Sequence, residues 1–288
     1  MTRNDFAPTL VTGCGGQLGH ELCRLLGDEA IGTDIDTLDI TDRKAVQAFV
    51  SKHTPKTVIN AAAYTAVDQA EDQPDLCHAV NSLAVKNLAE ATKANGSLLI
   101  QISTDYVFTG CQSEHPFVEN DNPIPVSIYA KSKRDGETHA QLNPNHLVIR
   151  TCGLYGQPGP TASGNFVTTM LRLGQQRDSI SVVDDQACTP TSIEELAAAI
   201  VFLVKSNHRG LFHITNDGWT TWKDFASAIF EISGLPCKVQ SITTEEFGAK
   251  AARPRYSVLD CSKYRATNGP QMSNWKSALR NYLDKLQV

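Results

Sequence analysis

Apolar positions along the chain follow two alternating periods. Short runs rich in β-branched residues, Pro8–Thr12, Glu29–Asp34, Thr57–Ala61, Ser97–Ile102 and Leu147–Arg150, predict strands. Between them lie His20–Leu26, Thr41–Val50, Pro74–Lys93 and Val126–Thr138, which read as helices. Ser97–Ile102 is nearly all apolar and Leu147–Arg150 reads as another buried strand, as expected of parallel strands covered on both faces. Strand and helix in alternation predict the α/β class, a doubly wound parallel sheet with ligands at the carboxyl ends of its strands. Beyond residue 151 the pattern loosens. Gly156–Gly164 is a Gly- and Pro-rich insertion, Asn165–Arg172, Ser192–Lys205, Trp222–Ile232 and Met272–Leu286 read as helices, and Ser181–Val183 and Leu211–Thr215 as short strands.

Chemistry concentrates at two strand ends. The first strand stops at Gly13-Cys14-Gly15-Gly16-Gln17-Leu18-Gly19, and a helix follows at once. This glycine spacing lets the backbone turn tightly and approach a pyrophosphate, whose charge then faces the first amides of the helix. A turn that only reverses the chain needs no strand before it and no helix after it, so the context favours a dinucleotide. The second strand ends in Asp34, 21 positions after Gly13. A carboxylate at about 20 residues meets the adenosine ribose hydroxyls. Which of Asp34, Asp36, Asp39 and Asp42 does so is left open by the spacing. Tyr129 and Lys133, four residues apart, stack on one helix face. A phenol of pKa ~10 is a poor acid or base at neutral pH, and a neighbouring ammonium stabilises its phenolate. Thr104, in the strand end Ser103-Thr104-Asp105, adds a hydroxyl that would hold a substrate oxygen beside the phenol. The Tyr-x-x-x-Lys spacing also occurs on many solvated helix faces; its weight here comes from the glycine turn and the strand end that precede it.

Composition narrows the classes. With 288 residues, 41% of them hydrophobic, the chain can bury a sizeable core. A net charge of −5 with interspersed signs argues against a nucleic-acid surface or a basic membrane-binding face, so an anionic ligand needs local basic groups. The eight cysteines form no Cys-x-x-Cys pair and no zinc-spaced cluster, and read as free thiols in a reducing cytoplasm. No apolar run approaches ~18 residues and MTRNDFAPTLVTG holds no long apolar segment, so neither membrane insertion nor export is expected.

With glycine turn, Ser-Thr-Asp strand end and Tyr-x-x-x-Lys in this order, the chain resembles the extended short-chain dehydrogenase/reductase superfamily. Within it, the resemblance is to the dTDP-4-dehydrorhamnose reductase family. The strings that carry it are VTGxxGQLG at 11–19, LDITD at 38–42, VINAAAYTAVD at 58–68, STDYVF at 103–108, YxKSKxxGE at 129–137, NFV at 165–167, DDQxxxPT at 184–191 and RPxxSxLD at 253–260. They span nearly the whole chain. The resemblance implies a Rossmann-type, NAD(P)-binding core with the catalytic helix over residues 1–151. A smaller C-terminal lobe over 152–288 would mainly bind substrate, with segments near 180–215 returning to the core. It further implies that Gly13, Gly16, Gln17, Leu18 and Gly19 cradle the cofactor pyrophosphate, that Asp34, Asp39 and Ile40 surround the adenosine, and that Ala63, Tyr64 and Thr65 line the cofactor channel. Thr104, Tyr129 and Lys133 would be catalytic, Tyr129 and Lys133 would also touch the cofactor, and Lys133 would lower the phenol's pKa. Thr104, Asp105, Asn165 and Arg253 would face the substrate, with Lys250 and Arg255 adding positive charge.

The implied activity is reduction of the 4-keto group of a dTDP-linked 6-deoxyhexulose by NADPH or NADH, giving dTDP-L-rhamnose. A cytoplasmic homodimer is the expected setting, with no nucleic-acid or membrane partner. The chain departs from the family at one place. Arg150-Thr151-Cys152-Gly153-Leu154-Tyr155-Gly156 stands where the family reads Arg-Thr-Ser-Trp-x-Tyr-Gly, which leaves out an aromatic wall and predicts a roomier sugar pocket. Some members bridge a dimer with a divalent ion held by glutamates, and Glu21 and Glu194 fall near the matching positions. Helix glutamates are mostly solvated, so no metal ligands are expected, with Mg2+ as the alternative. Relatives also include the regulatory subunit of methionine adenosyltransferase and enzymes for other sugar nucleotides, among them 6-deoxytalose-forming reductases and NAD-dependent epimerases.

Overall fold

The computed structural model describes residues 6–162 and 164–286, so most of the polar leader and Ser163 of the insertion lie outside the described residues. Five strands, β1 (Thr9–Thr12), β2 (Ala30–Thr33), β3 (Thr57–Asn60), β4 (Leu98–Thr104) and β5 (His146–Thr151), join Gly210–His213 in one parallel sheet. Across the sheet the order is Gly210–His213, β5, β4, β3, β1, β2. Adjacent strand residues point to opposite faces. Here both faces are covered. Val11, Ile59, Ile100 and Ile149 pack with Leu18, Leu22, Leu196 and Ile200 of the helices Gln17–Leu26 and Ile193–Lys205. Their neighbours Leu10, Val58, Leu99 and Val148 pack with Val46, Val50, Leu88 and Ala140 of the helices Arg43–His53, Ala84–Asn95 and Ile128–Ala140. This two-sided burial is why the strands read as apolar runs without alternation.

The strand order reverses at β1, because β2 lies on one side of it and β3 on the other. Such a switch point opens a crevice at the carboxyl ends of the strands. Gly13 leaves β1 there with φ +70°, and a β-carbon on it would come within 2.7 Å of the Ala62 backbone after β3. Only glycine accepts both the dihedral and the approach.

Two segments differ from the sequence expectation. The helix expected over Pro74–Lys93 is broken by a π turn at Ala79–Leu83, between Pro74–His78 and Ala84–Asn95. The turn holds the buried Asn81, whose side chain spans to the Tyr64 backbone and to Ser132. Of the segments expected near 180–215 to return to the core, the helix Ile193–Lys205 packs on the large sheet and Gly210–His213 joins its edge. Ser179–Val183 pairs instead with Lys238–Ile242, because Ile180 and Val182 pack into a separate cluster around Phe225, Ile229 and Leu279.

Close packing of the π turn against the helix Ile128–Ala140 depends on Gly136, where a β-carbon would fall inside the Asn81 carbonyl oxygen. Gly136→Ala is therefore expected to destabilise the protein by about 1–3 kcal/mol through overpacking. A urea midpoint equal to that of the parent would show that the two helices separate freely and that this contact places nothing.

Candidate active site

The helix Ile128–Ala140 is fixed at its start by two acceptors. Ser127 Oγ accepts the Ala130 N–H at 3.2 Å, and Glu71 Oε1 accepts the Ile128 N–H at 2.9 Å. From this anchored first turn Tyr129 points inward, 9% exposed, edge-on to the Tyr106 ring at 5.5 Å. Its phenol is hydrogen-bonded to Thr104. Thr104 Oγ1 in turn donates to Asp105 Oδ1 at 3.0 Å and accepts the Tyr106 N–H at 3.2 Å. The structure thus brings together Thr104, Asp105 and Tyr129. Burial raises the Asp105 pKa, with hydrogen bonds from Ser257, Cys152 and Thr104 opposing it.

Lys133, one turn after Tyr129 and 4% exposed, donates to the Ile102 carbonyl of β4 at 2.6 Å. Burial pushes its pKa down to about 8, while Glu137 acts the other way. The phenol moves opposite to the expectation that Lys133 would acidify it. Burial raises the Tyr129 pKa, and the Thr104 hydrogen bond offsets only part of that rise. The ammonium is spent on a main-chain carbonyl, and the loss of solvent around the phenolate dominates. At neutral pH Tyr129 is a neutral phenol that holds a proton to give.

Two turns after Tyr129, Glu137 accepts from Ser103 Oγ at 2.6 Å and from Arg150 Nε and Nη2 at 2.8 Å each. Both Glu137 and Arg150 are 2% exposed at their side chains. Neither this pairing nor Asn81 was identified from sequence as part of the site. The only sequence signal is a polar residue on the apolar stripe of a helix or strand.

Across the crevice, the helix Gln17–Leu26 begins at Gly16 without a side-chain cap, leaving its first amides available to an anion. Gly19 packs so closely that a β-carbon would fall inside the Gly13 carbonyl oxygen. Leu18 is buried in the core and contributes support. Of the four acids, Asp34 stands at the glycine turn, where Oδ2 accepts the Gly15 N–H at 2.9 Å. Asp39 is turned into its own loop, accepting from Thr41 N and Oγ1, and Asp42 caps the helix Arg43–His53. Ile40 is buried in the apolar cluster below that helix. Ala63, Tyr64 and Thr65 follow β3, with Tyr64 N and O both held by Asn81.

The lobe residues expected at the substrate are otherwise engaged. Asn165 caps Phe166–Gln176 and donates to Gln17 Oε1 and the Gly156 carbonyl, each at 2.9 Å. Arg253 forms a fork with Asp68 at 3.0 and 2.8 Å, and Lys250 pairs with Asp72. Arg255 stands exposed. The space expected at Gly153 is filled: with φ +54°, a β-carbon there would lie 3.1 Å from Pro190 Cα and 3.4 Å from Trp222 Cη2. The two glutamates considered for a divalent ion are each paired with a cation, Glu21 with Arg24 at 2.7 Å and Glu194 with Lys285 at 2.8 Å.

A glycine turn at the switch point of a parallel sheet, facing a buried Thr-Tyr-Lys set at the end of β4, defines a nucleotide-dependent oxidoreductase of the short-chain dehydrogenase type. Comparison with known proteins narrows this class. The chain belongs to the family described as the RmlD substrate binding domain, whose model matches residues 7–288. It is 40% identical over 282 residues to the spore coat polysaccharide biosynthesis protein SpsK of Bacillus subtilis, covering 96% of each chain. It is also 40% identical over 281 residues to a dTDP-4-dehydrorhamnose reductase of Streptomyces griseus, covering 94% of this chain and 91% of that one. A crystal structure of dTDP-4-dehydrorhamnose reductase from Bacillus anthracis, in complex with NADP, superposes with a TM-score of 0.91 at 39% identity, covering 96% of this chain and 98% of that one.

The Glu137–Arg150 pair can be tested by stability. Arg150 holds the Glu137 pKa below the carboxylate range against the opposing effect of burial. Arg150→Met removes the buried partner of that carboxylate and leaves it only Ser103 and the part-exposed Arg134, whose Nη1 lies 3.1 Å from Oε2, with an expected loss of about 3 kcal/mol at pH 7. The parent loses stability as pH falls through the lowered Glu137 pKa, whereas in the variant, with the buried partner gone, protonation of Glu137 costs less. The difference between the two proteins should therefore shrink on going from pH 7 to mildly acidic buffer. An equal difference at both pH values would assign the loss to packing.

Proposed function

We propose that this protein reduces the 4-keto group of dTDP-4-dehydro-L-rhamnose to give dTDP-L-rhamnose. The observation that carries the reading is the buried contact of Thr104 with Tyr129, one helical turn before Lys133 and at the same sheet edge as the glycine turn. The curated relative named dTDP-4-dehydrorhamnose reductase supports it over nearly full length. A bound NADPH or NADH supplies the hydride. The protein's own part is positioning and proton transfer. Thr104 and Asp105 hold the substrate carbonyl, and Tyr129, kept neutral by burial, gives its proton to the carbonyl oxygen as negative charge develops there. Lys133, now bonded to the Ile102 carbonyl, would hold the nicotinamide ribose, the uncapped amides after Gly16 would hold the pyrophosphate, and Asp34 at the glycine turn would hold the adenosine ribose. The same reading places a homodimer in the cytoplasm.

Tyr129→Phe removes the donor oxygen and keeps the ring that packs on Tyr106. NADPH oxidation with dTDP-4-dehydro-L-rhamnose is expected to fall about 100- to 10,000-fold, with cofactor affinity within a few-fold of the parent. A parent protein without turnover would point instead to a regulatory subunit, and equal rates in parent and variant would remove Tyr129 from the mechanism.

The site also carries an expectation about the cofactor. Asp34 places a carboxylate at the glycine turn, and Arg43, a nearby cation, is paired with Glu90 at 3.0 Å. A free 2′-hydroxyl suits this arrangement better than a 2′-phosphate. NADH should be used at least as well as NADPH. Competing steady-state measurements with a kcat/KM ratio above about 10 in favour of NADPH would refute it, since that ratio corresponds to ~1.4 kcal/mol of discrimination.

A further inference from the structure

Tyr129 stands in the first turn of its helix, where the leading amides have no partner within the helix and opening is easiest. Lys133 and Glu137, which tie the helix to β4 and β5, lie one and two turns further on. The chain that enters the helix offers no regular pairing, since residues 122–126 form neither helix nor strand. Keeping the phenol against Thr104 therefore falls to the groups that close the first turn.

Two acceptors close it, and they differ in what they fix. Ser127 is local, and by taking the Ala130 N–H at 3.2 Å it sets where the helix begins. Glu71 comes from 57 residues upstream and takes the Ile128 N–H, the amide directly before Tyr129, at 2.9 Å. This second bond fixes the first turn relative to a distant part of the chain. A carboxylate there also suits the positive end of the helix dipole.

Glu71 is itself braced. It closes the short helix Val67–Ala70, with its N–H bonded to the Asp68 and Gln69 carbonyls. Ala70 is wholly buried and packs in the same cluster as Tyr129, with Tyr64 and Val67 against it. Asp68 accepts the Ala251 N–H at 3.0 Å as well as the Arg253 fork, and Asp72 pairs with Lys250. Gln73 accepts the Tyr64 hydroxyl at 3.0 Å. Residues 67–73 thus form a strut braced on the late loop and on the segment after β3, and Glu71 is where it meets the helix of Tyr129.

We propose that Glu71 is a positioning residue for the proton donor: by holding the Ile128 amide it keeps the Tyr129 phenol at Thr104 while the proton is transferred. This inference rests on the reductase reading above. Glu71 acts through the helix, and the effect is large because a misplacement of about 1 Å can cost on the order of 100-fold in rate.

The test separates the hydrogen bond from the charge. Glu71→Ala removes the acceptor, whereas Glu71→Gln keeps a carbonyl oxygen there and loses only the charge. In Glu71→Ala, kcat with dTDP-4-dehydro-L-rhamnose, expressed per NADPH-binding site so that unfolded protein is not counted, is expected to fall about 10- to 100-fold. KM for NADPH and for the sugar nucleotide should stay within about 3-fold of the parent, and the solvent deuterium isotope effect on kcat should rise as proton transfer slows. Glu71→Gln should keep kcat within about 3-fold of the parent. Amide hydrogen exchange over residues 127–131 should quicken in the Ala variant and stay at the parent rate in the Gln variant. A parent-like kcat and isotope effect in Glu71→Ala overturns this inference, as does an equal loss of kcat in Glu71→Gln, which assigns the effect to charge; both results leave the reductase reading standing. A parent protein without turnover overturns the reductase reading and this inference with it.

Discussion

The site depends on one buried carboxylate. Glu137 sits on the helix that carries Tyr129 and Lys133, at intervals of four residues, so the three side chains form a single stripe. Ser103 on β4 and Arg150 on β5 both donate to it, which locks the helix in rotation and in register against two strands at once. Arg150 is held in turn. Its Nη1 lies 3.3 Å from His213 Nε2, and burial brings the His213 pKa down to about 4, so the imidazole is neutral and accepts there while Nδ1 donates to the Phe117 carbonyl at 3.0 Å. Replacing such a pair by apolar groups is often neutral or favourable for stability, so its value lies in specifying one geometry. A slip of one residue along the helix would turn the phenol away from Thr104.

The cofactor side is positioned by close approach in place of charge. Gly13 against Ala62 and Gly19 against Gly13 bring three backbone segments together with no side chains between them. The helix amides then face the crevice, and Asp34 closes the turn through Gly15. Gln17 and Asn165 extend this arrangement to the lobe, joining the helix start Gln17–Leu26 to the helix start Phe166–Gln176. The Asp68–Arg253 fork makes a second bridge from the core to the late loop. Both bridges use groups that the sequence resemblance had placed at ligands, Gln17 at the cofactor and Asn165 and Arg253 at the substrate.

Much of this was legible in the chain because local rules govern it. Two-sided apolar strands, helical periodicity and the glycine spacing identified the doubly wound sheet and its switch point, and the structure brings Thr104, Tyr129 and Lys133 of the quoted strings together at the end of β4. What was missed arises from partners far apart in sequence. Nothing near Glu137 announces Arg150, and nothing near Asp68 announces Arg253 185 residues later. The π turn at Asn81 is invisible to a periodicity that treats Pro74–Lys93 as one helix. Ser179–Val183 has the composition of a core strand, and only its partner Lys238–Ile242 shows that it belongs to the lobe. The neighbours of Gly153 are hidden in the same way, since Pro190 and Trp222 come from later in the chain.

The acid–base balance of the site follows from that burial as well. A motif reading treats the lysine as the agent that makes the tyrosine acidic, which suits a base that removes a proton. Here desolvation acts on both groups in the direction of neutrality, raising the phenol and lowering the ammonium to about 8. A neutral phenol beside Thr104 is a proton donor, and it meets the need of a carbonyl that gains negative charge. The Thr104 hydroxyl and the Tyr129 phenol meet under the same cover, both buried. Burial under the helix Ile128–Ala140 therefore keeps the proton on the phenol, which is the state that the proposed role of Tyr129 as proton donor requires.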